Sequence, residues 1–368
     1  MLIKPSSLLA INPSSRRQQQ SQIQSAHKLC LIHYRHEDVN MPLTYDPEFL
    51  SAVGPLLSAR AAAAKPAPHD IPALRTILAA ALEVPAAAAP AHPDIEETHF
   101  SGPSYDGHMV DIYRVARKPL SNTEPAIGPA IVHAHGGGLI FGSAKQLTRL
   151  HHHAIVAETD VPVYTVEYRL APEHVFPAGV EDVYAALKWV QEQGEAIGVD
   201  CARIGIQGES AGGNLAAAVA LMARDRGLSP PLAKQILVYP MLYDRTVLED
   251  DEKDPHGSMR IWSFTNNLTG WSAYLGGREN VGLATTSKYA VPAREIDLRG
   301  LPSTYIDVGG LDIFRDENVK YAVGLAAADV DVEFHLYPGI PHLWDGVAPG
   351  IEVSKRALAN RKAAILSF

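Results

Sequence analysis

The sequence predicts an α/β fold with a mostly parallel eight-stranded sheet, helices on both faces and a helical cap. Three observations predict it. Short runs rich in β-branched residues alternate with longer amphipathic stretches from about residue 95 onward, the signature of crossover units covered on both faces. A Gly-x-Ser-x-Gly bend sits between one such run and one such stretch. Two segments without that alternation, at the N-terminus and in the middle of the chain, supply the material for a cap.

Strands are expected at residues 96–100, 108–115, 130–133, 161–168, 204–207, 235–239, 304–308 and 332–337, and helices at 145–159, 180–197, 211–226, 316–328 and 351–367. The first two strands are joined only by Pro103-Ser104-Tyr105-Asp106-Gly107, so they should pair antiparallel. Residues 46–82 read as Ala-rich helix, and the Ala/Pro stretch 85–93 as a linker that breaks it. From 244 to about 290 no strand pattern occurs, and Trp262, Phe264, Trp271 and Tyr274 are expected mainly to pack there. The expected organisation is a disordered extension at 1–40, cap helices and linker at 41–94, and a catalytic domain at 95–368 with a cap insertion near 244–290.

Residues 1–40 are Ser/Gln-rich and polar, which favours disorder. Their apolar run Leu8-Leu9-Ala10-Ile11 falls short of the roughly 7–15 residues of a signal-peptide core. A transit peptide is the alternative. With 368 residues, 46% apolar and 20% charged, the chain can bury a large core without staples. Cys30 and Cys201 are the only cysteines, so no disulfide framework is indicated and a cytoplasmic setting is expected. The net charge of −9, from 32 basic and 41 acidic residues with no long basic run, argues against nucleic acid or anionic membrane as partners. No apolar stretch reaches the roughly 18 residues of a membrane span.

The chemistry concentrates in Ile204-Gly205-Ile206-Gln207-Gly208-Glu209-Ser210-Ala211-Gly212-Gly213-Asn214. A serine exposed on a sharp strand-to-helix turn takes strained backbone angles, and neighbouring chains then leave no room for a Cβ at Gly208 or Gly212. The following helix aims its positive end, with the Ala211 amide, at the reacting carbon. Acyl transfer also needs donors for an oxyanion. His135-Gly136-Gly137-Gly138 follows an expected strand, so the amides of Gly137 and Gly138 join Ala211 as candidates, with His135 bracing the loop. A phosphate-cradling loop is a poorer match, because the Rossmann spacing and the Walker lysine are both missing.

A serine hydroxyl needs a base, and the base needs an orienting acid. His342 follows the last expected strand, whereas His256 falls in the cap insertion and His335 inside a strand. His342 is therefore the expected base and later acid. Asp312 follows the preceding strand on a loop and is preferred as the acid over Asp316, a first-turn or N-cap position, and over Asp307, within the strand. His151-His152-His153 suggests no metal site, because adjacent helical residues point apart.

These residues resemble the hormone-sensitive-lipase-like family of α/β-hydrolases. The matches are His135-Gly136-Gly137-Gly138, Tyr168-Arg169-Leu170-Ala171-Pro172-Glu173 with Phe176-Pro177-Ala178, and Gly208-Glu209-Ser210-Ala211-Gly212-Gly213. Asp312-Ile313-Phe314-Arg315-Asp316 and Tyr337-Pro338-Gly339-Ile340-Pro341-His342 complete the set, in the family's order. The resemblance implies the α/β-hydrolase fold, a Ser-Asp-His triad, a helical cap, no metal and no organic cofactor. It further implies hydrolysis of small-molecule esters of short or medium acyl chains, and leaves a homodimer open. Amidase, lactonase and acyl-transfer activity on the same triad are the alternatives, and a non-catalytic small-molecule receptor is a further one. Glu209, where relatives carry Asp, and Phe314, often Leu, are bland departures. Arg169 and Glu173 are expected to pair and fix a supporting loop.

Overall fold

In the computed structural model, residues 43–63, 66–88, 92–118, 127–147, 151–248 and 251–368 are described. The chain divides into two units, Met1–Pro42 and Leu43–Phe368. The expectations for the N-terminal extension and Cys30 fall outside the described residues.

All eight expected strands form: β1 (Ile95–Pro103), β2 (Met109–Arg117), β3 (Gly128–Ala134), β4 (Val163–Glu167), β5 (Val199–Glu209), β6 (Lys234–Val238), β7 (Ser303–Gly309) and β8 (Val332–Tyr337). They make one sheet in the order β1-β2-β4-β3-β5-β6-β7-β8. β2 runs antiparallel to both β1 and β4, and every other pairing is parallel. Alternation along each strand feeds two cores. Ala130, Val132 and Ala134 of β3 enter one, and Ile131 enters the other, as a side-chain period of two requires.

Helices α1 (Pro47–Ala62) and α2 (Ile71–Ala88) precede the sheet; α3 (His153–Thr159), α4 (Ala178–Gln193) and α5 (Ala211–Asp225) alternate with its strands. α6 (Phe264–Tyr274) lies in the segment 244–290 expected as a cap insertion, and α7 (Arg315–Ala327) and α8 (Glu352–Ile365) follow β7 and β8. Residues of α4 and α5 enter the first core, and residues of α3 and α8 the second, so the sheet is covered on both faces. Among the described residues, no helix is long and apolar enough to cross a membrane.

One expectation needs correction, and one is described only in part. The helix expected at 145–159 is described at Ala144–Leu147 and in α3, and residues 148–150 between them lie outside the described residues. The linker expected to break helix at Pro85 does not do so there, because α2 runs on to Ala88. A proline forfeits one helical hydrogen bond, but here it sits within the last turns of a helix whose flanking alanines are the best helix formers.

α1 starts where the sequence asks. The Asp46 carboxylate accepts the Glu48 and Phe49 N–H groups at 2.9 and 3.0 Å, and Pro47 takes the first helical position. The Asp46 N–H donates to Gly339 O at 2.8 Å, which ties the N-terminal helices to the loop before His342.

Candidate active site

The carboxyl ends of the parallel strands gather the candidate residues, because register sets neighbouring loops side by side. Ala134 of β3 pairs with Gly208 of β5, and Gly309 of β7 with Tyr337 of β8. The glycine loop therefore adjoins the serine turn, and the acid loop adjoins the histidine loop.

Ser210 stands between β5 and α5 with φ 55° and ψ −116°. A non-glycine residue at positive φ is strained and persists only where its surroundings hold it. Here its N–H donates to Val238 O at 2.9 Å, and its carbonyl accepts from Met241 at 2.9 Å and Asn214 at 3.2 Å. A Cβ on Gly208 would lie 2.1 Å from Gly212 O. The steric argument for glycine at that bend holds at atomic distances.

His342 Nε2 lies 2.9 Å from Ser210 Oγ, and its Nδ1 lies 2.6 Å from Asp312 Oδ2. The three residues are 2%, 5% and 2% exposed, for histidine, serine and aspartate respectively. With Nδ1–H donated to the carboxylate, Nε2 is left to accept the serine proton. The acid and histidine loops are bonded together: Gly310 N–H donates to Tyr337 O at 2.7 Å and Leu311 N–H to Ile340 O at 2.9 Å. The other Asp312 oxygen accepts the Phe314 N–H at 2.9 Å. Tyr239 and Phe314 meet the imidazole edge-on, with ring centroids 4.7 and 5.1 Å away.

The competing acids and bases are engaged elsewhere. Asp316 lies in the first turn of α7 and takes Arg315 Nε at 2.7 Å. Asp307, buried in β7, accepts Arg361 Nε at 2.6 Å and the Tyr305 hydroxyl at 2.9 Å. His335 bonds Glu333 at 2.8 Å.

Gly137 and Gly138 adopt φ of 130° and 61°, conformations that favour glycine. Among the described residues, the N–H groups of Gly137, Gly138 and Ala211 have no acceptor. A Cβ on Gly136 would be 3.6 Å from Ser210 Cβ, so the loop lies beside the serine. His135 is bonded to the glycine loop and to the residue that follows β4. Its Nδ1–H donates to Gly136 O at 2.7 Å, its carbonyl accepts the Tyr168 hydroxyl at 2.7 Å, and burial pushes its imidazole down to about 4. It stays neutral near neutral pH.

Glu209 bonds His133 Nε2 at 2.6 Å and Gln207 Nε2 at 3.1 Å, linking the serine turn to β3. Burial alone would raise this carboxyl, yet His133, His151 and His152 hold it well below the usual carboxylate range. The expected Arg169–Glu173 pair does not form. Asp182 of α4 accepts both the Arg169 N–H at 3.0 Å and its Nε at 2.9 Å, and Asp106 takes Nη1 at 2.6 Å. Glu173, in the turn at 171–173, instead holds both terminal nitrogens of Arg75 on α2 at 2.7 Å. Arg75 Nε also donates to Ile140 O at 2.7 Å, so α2 is fastened to the chain just after the glycine loop. The adjacent histidines diverge: His153 bonds Glu97 at 2.8 Å, while the His152 ring abuts His133 at 4.2 Å. Cys201 is only partly buried, and its thiol donates to Gln191 O at 3.2 Å.

A mostly parallel sheet with a serine elbow, a histidine loop and a glycine loop at its carboxyl edge defines an α/β-hydrolase. The chain belongs to the hormone-sensitive-lipase-like family of that fold: residues 131–345 match the family model described as alpha/beta hydrolase fold. Esterase LipI of Mycobacterium tuberculosis is 34% identical over 276 residues, covering 74% of this chain and 82% of that protein. The ethyl acetate hydrolase of Pseudomonas putida is 30% identical over 249 residues, covering 64% of this chain and 72% of its own. Among solved structures, a bacterial heroin esterase superposes with a TM-score of 0.75 at 34% identity, covering 88% of this chain and 97% of the other. The protein is a carboxylesterase-type hydrolase.

Proposed function

We propose that the enzyme hydrolyses small-molecule esters of short or medium acyl chains through an acyl-enzyme on Ser210. The observation that carries this reading is the continuous bonding from Asp312 through His342 to Ser210, at 2.6 and 2.9 Å. Ser210 Oγ attacks the ester carbonyl carbon while His342 Nε2 takes its proton. Asp312 holds the imidazole tautomer and stabilises the imidazolium. The carbonyl π electrons move onto the oxygen, which receives the N–H groups of Gly137, Gly138 and Ala211. The tetrahedral intermediate then collapses, the ester C–O bond breaks, and the alcohol leaves with the proton from His342. Water attacks the acyl-enzyme, giving its proton to His342; that proton returns to Ser210 as the carboxylic acid departs.

The acyl-length reading draws on enclosure and on relatives. Ser210 and His342 are almost wholly covered, which favours small acyl groups. One relative is named for hydrolysis of ethyl acetate, a short-acyl ester. A cytoplasmic location fits a chain with only two cysteines.

The test is a panel of p-nitrophenyl acetate, butyrate, octanoate and palmitate, with p-nitroacetanilide as the amide, on wild-type protein and on Ser210→Ala. Activity highest on the acetate, butyrate or octanoate and abolished in Ser210→Ala is expected. Wild-type rates in Ser210→Ala would remove the nucleophile, and a preference for palmitate or for the anilide would remove the substrate class.

A further inference from the structure

The glycine loop poses a physical problem. Oxyanion stabilisation depends on donors fixed before the reaction begins, yet consecutive glycines have more backbone freedom than any other residues. Gly137 and Gly138 carry no side chain with which to anchor themselves. Gly137 O accepts the Ile140 and Phe141 N–H groups at 3.1 and 3.0 Å, which leaves Gly138 to be held from outside that turn.

Two residues of the cap insertion touch Gly138. A Cβ on Gly270, in α6, would lie 2.5 Å from Gly138 O and 3.8 Å from its Cα, so the helix backbone packs directly onto the loop. A Cβ on Gly138 itself would meet Trp262 Cη2 at 2.7 Å and Cζ2 at 2.8 Å, so the indole edge covers the position where a side chain would project. Trp262 is 6% exposed and immediately precedes Ser263, which caps α6 by accepting the Asn266 N–H at 3.2 Å. The insertion is in turn fixed to the sheet side of the site. Asn267, fully buried, donates to Thr246 O at 2.6 Å. Thr246 donates its hydroxyl to Glu317 on α7, and the same carboxylate accepts the Leu242 N–H at 2.5 Å. α7 begins just after Asp312, so acid loop and glycine loop are referred to one framework.

We infer that Gly270 and Trp262 are positioning residues: the cap insertion grips Gly138 and so presets the oxyanion donors. This rests on the proposed acyl-enzyme reading at Ser210, with Gly138 as one of its oxyanion donors. The absence of a Cβ at Gly270 is then a requirement of the active site, since any side chain there must push either α6 or Gly138 away. A misplacement of about 1 Å at a reacting centre can lower the rate roughly 10²-fold.

The test is Gly270→Ala, with Gly54→Ala in α1 as the control, because a Cβ at Gly54 meets nothing within 4 Å. kcat and KM for p-nitrophenyl acetate are read together with the pH profile of kcat and the melting temperature. The expected result is a fall in kcat of about 10- to 100-fold in Gly270→Ala, KM changed by less than about threefold, and the pH midpoint retained. Gly54→Ala is expected to keep the wild-type kcat. A folded Gly270→Ala enzyme with wild-type kcat, or a loss confined to KM, overturns the inference. Should Gly270→Ala not fold, Trp262→Ala and Trp262→Phe carry the test. A larger kcat loss in the alanine variant supports the grip, and equal, wild-type kcat in both overturns it. Failure of the underlying reading looks different: Ser210→Ala would then keep its activity whatever the cap variants do.

Discussion

A Cβ on Gly212 would stand 2.0 Å from the carbonyl oxygen of Ala134, the last residue of β3. The first turn of α5, two residues after Ser210, thus lies in backbone contact with the neighbouring strand. Gly212→Ala must open that contact. Overpacking of this kind costs about 1–3 kcal/mol, so the variant is expected to melt lower and to lose most of its esterase activity. Thermal melts and kcat on p-nitrophenyl acetate check it; wild-type values in both would contradict the packing argument.

Asp312 and Asp316 lie close in sequence but hold different partners, His342 and Arg315. Asp312→Asn leaves the site's shape intact but favours the wrong imidazole tautomer, and should lower kcat on the order of 10⁴-fold. Asp316→Asn, whose carboxylate serves Arg315, should stay within about twofold of wild type. The two variants assayed side by side decide which carboxylate orients His342.

Arg361 joins the buried carboxylates of Asp307 and Asp345, and Asp345 accepts the hydroxyl of Tyr239, whose ring meets His342. Arg361→Met would leave two buried carboxylates without their cation. Breaking a buried pair in this way costs about 3–5 kcal/mol. Denaturant unfolding should report that loss, and an unfolding midpoint equal to that of wild type would show that the network contributes nothing.

Glu317 predicts a pH effect on stability. Burial pushes its carboxyl up to about 8 from the ordinary 4.5, against three donors that favour the anion. Between those values the folded protein holds a proton that the unfolded chain releases. Its contribution is therefore complete at low pH and lost as pH rises toward about 8. Glu317→Gln removes this term, so its melting temperature relative to wild type should rise steadily between about pH 5 and pH 8.5. A difference independent of pH would show that Glu317 is ionised throughout that range.

The sheet was readable from the sequence because a period of two and the flanking turns are local signals; all eight strands appear near their expected places. The gathering of Ser210, His342 and Asp312 was readable because each follows a parallel strand at the same edge of the sheet. The partners of Arg169 were not. Asp106 and Asp182 come from separate elements, and only the completed sheet sets them around one guanidinium. The same holds for Trp262 and Gly270, whose contact with Gly138 depends on where the cap lands on the body. Pro85 misled because a local breaker signal competes with the alanines around it.

The most direct measurement is acid quench of the enzyme mixed with p-nitrophenyl acetate within the first turnovers, followed by peptide mass analysis. One acetyl group on the peptide carrying Ser210, absent in Ser210→Ala and accumulating in step with a burst of p-nitrophenol, is the predicted result. Acetyl on another residue, or steady turnover in Ser210→Ala without any acyl-enzyme, would contradict it.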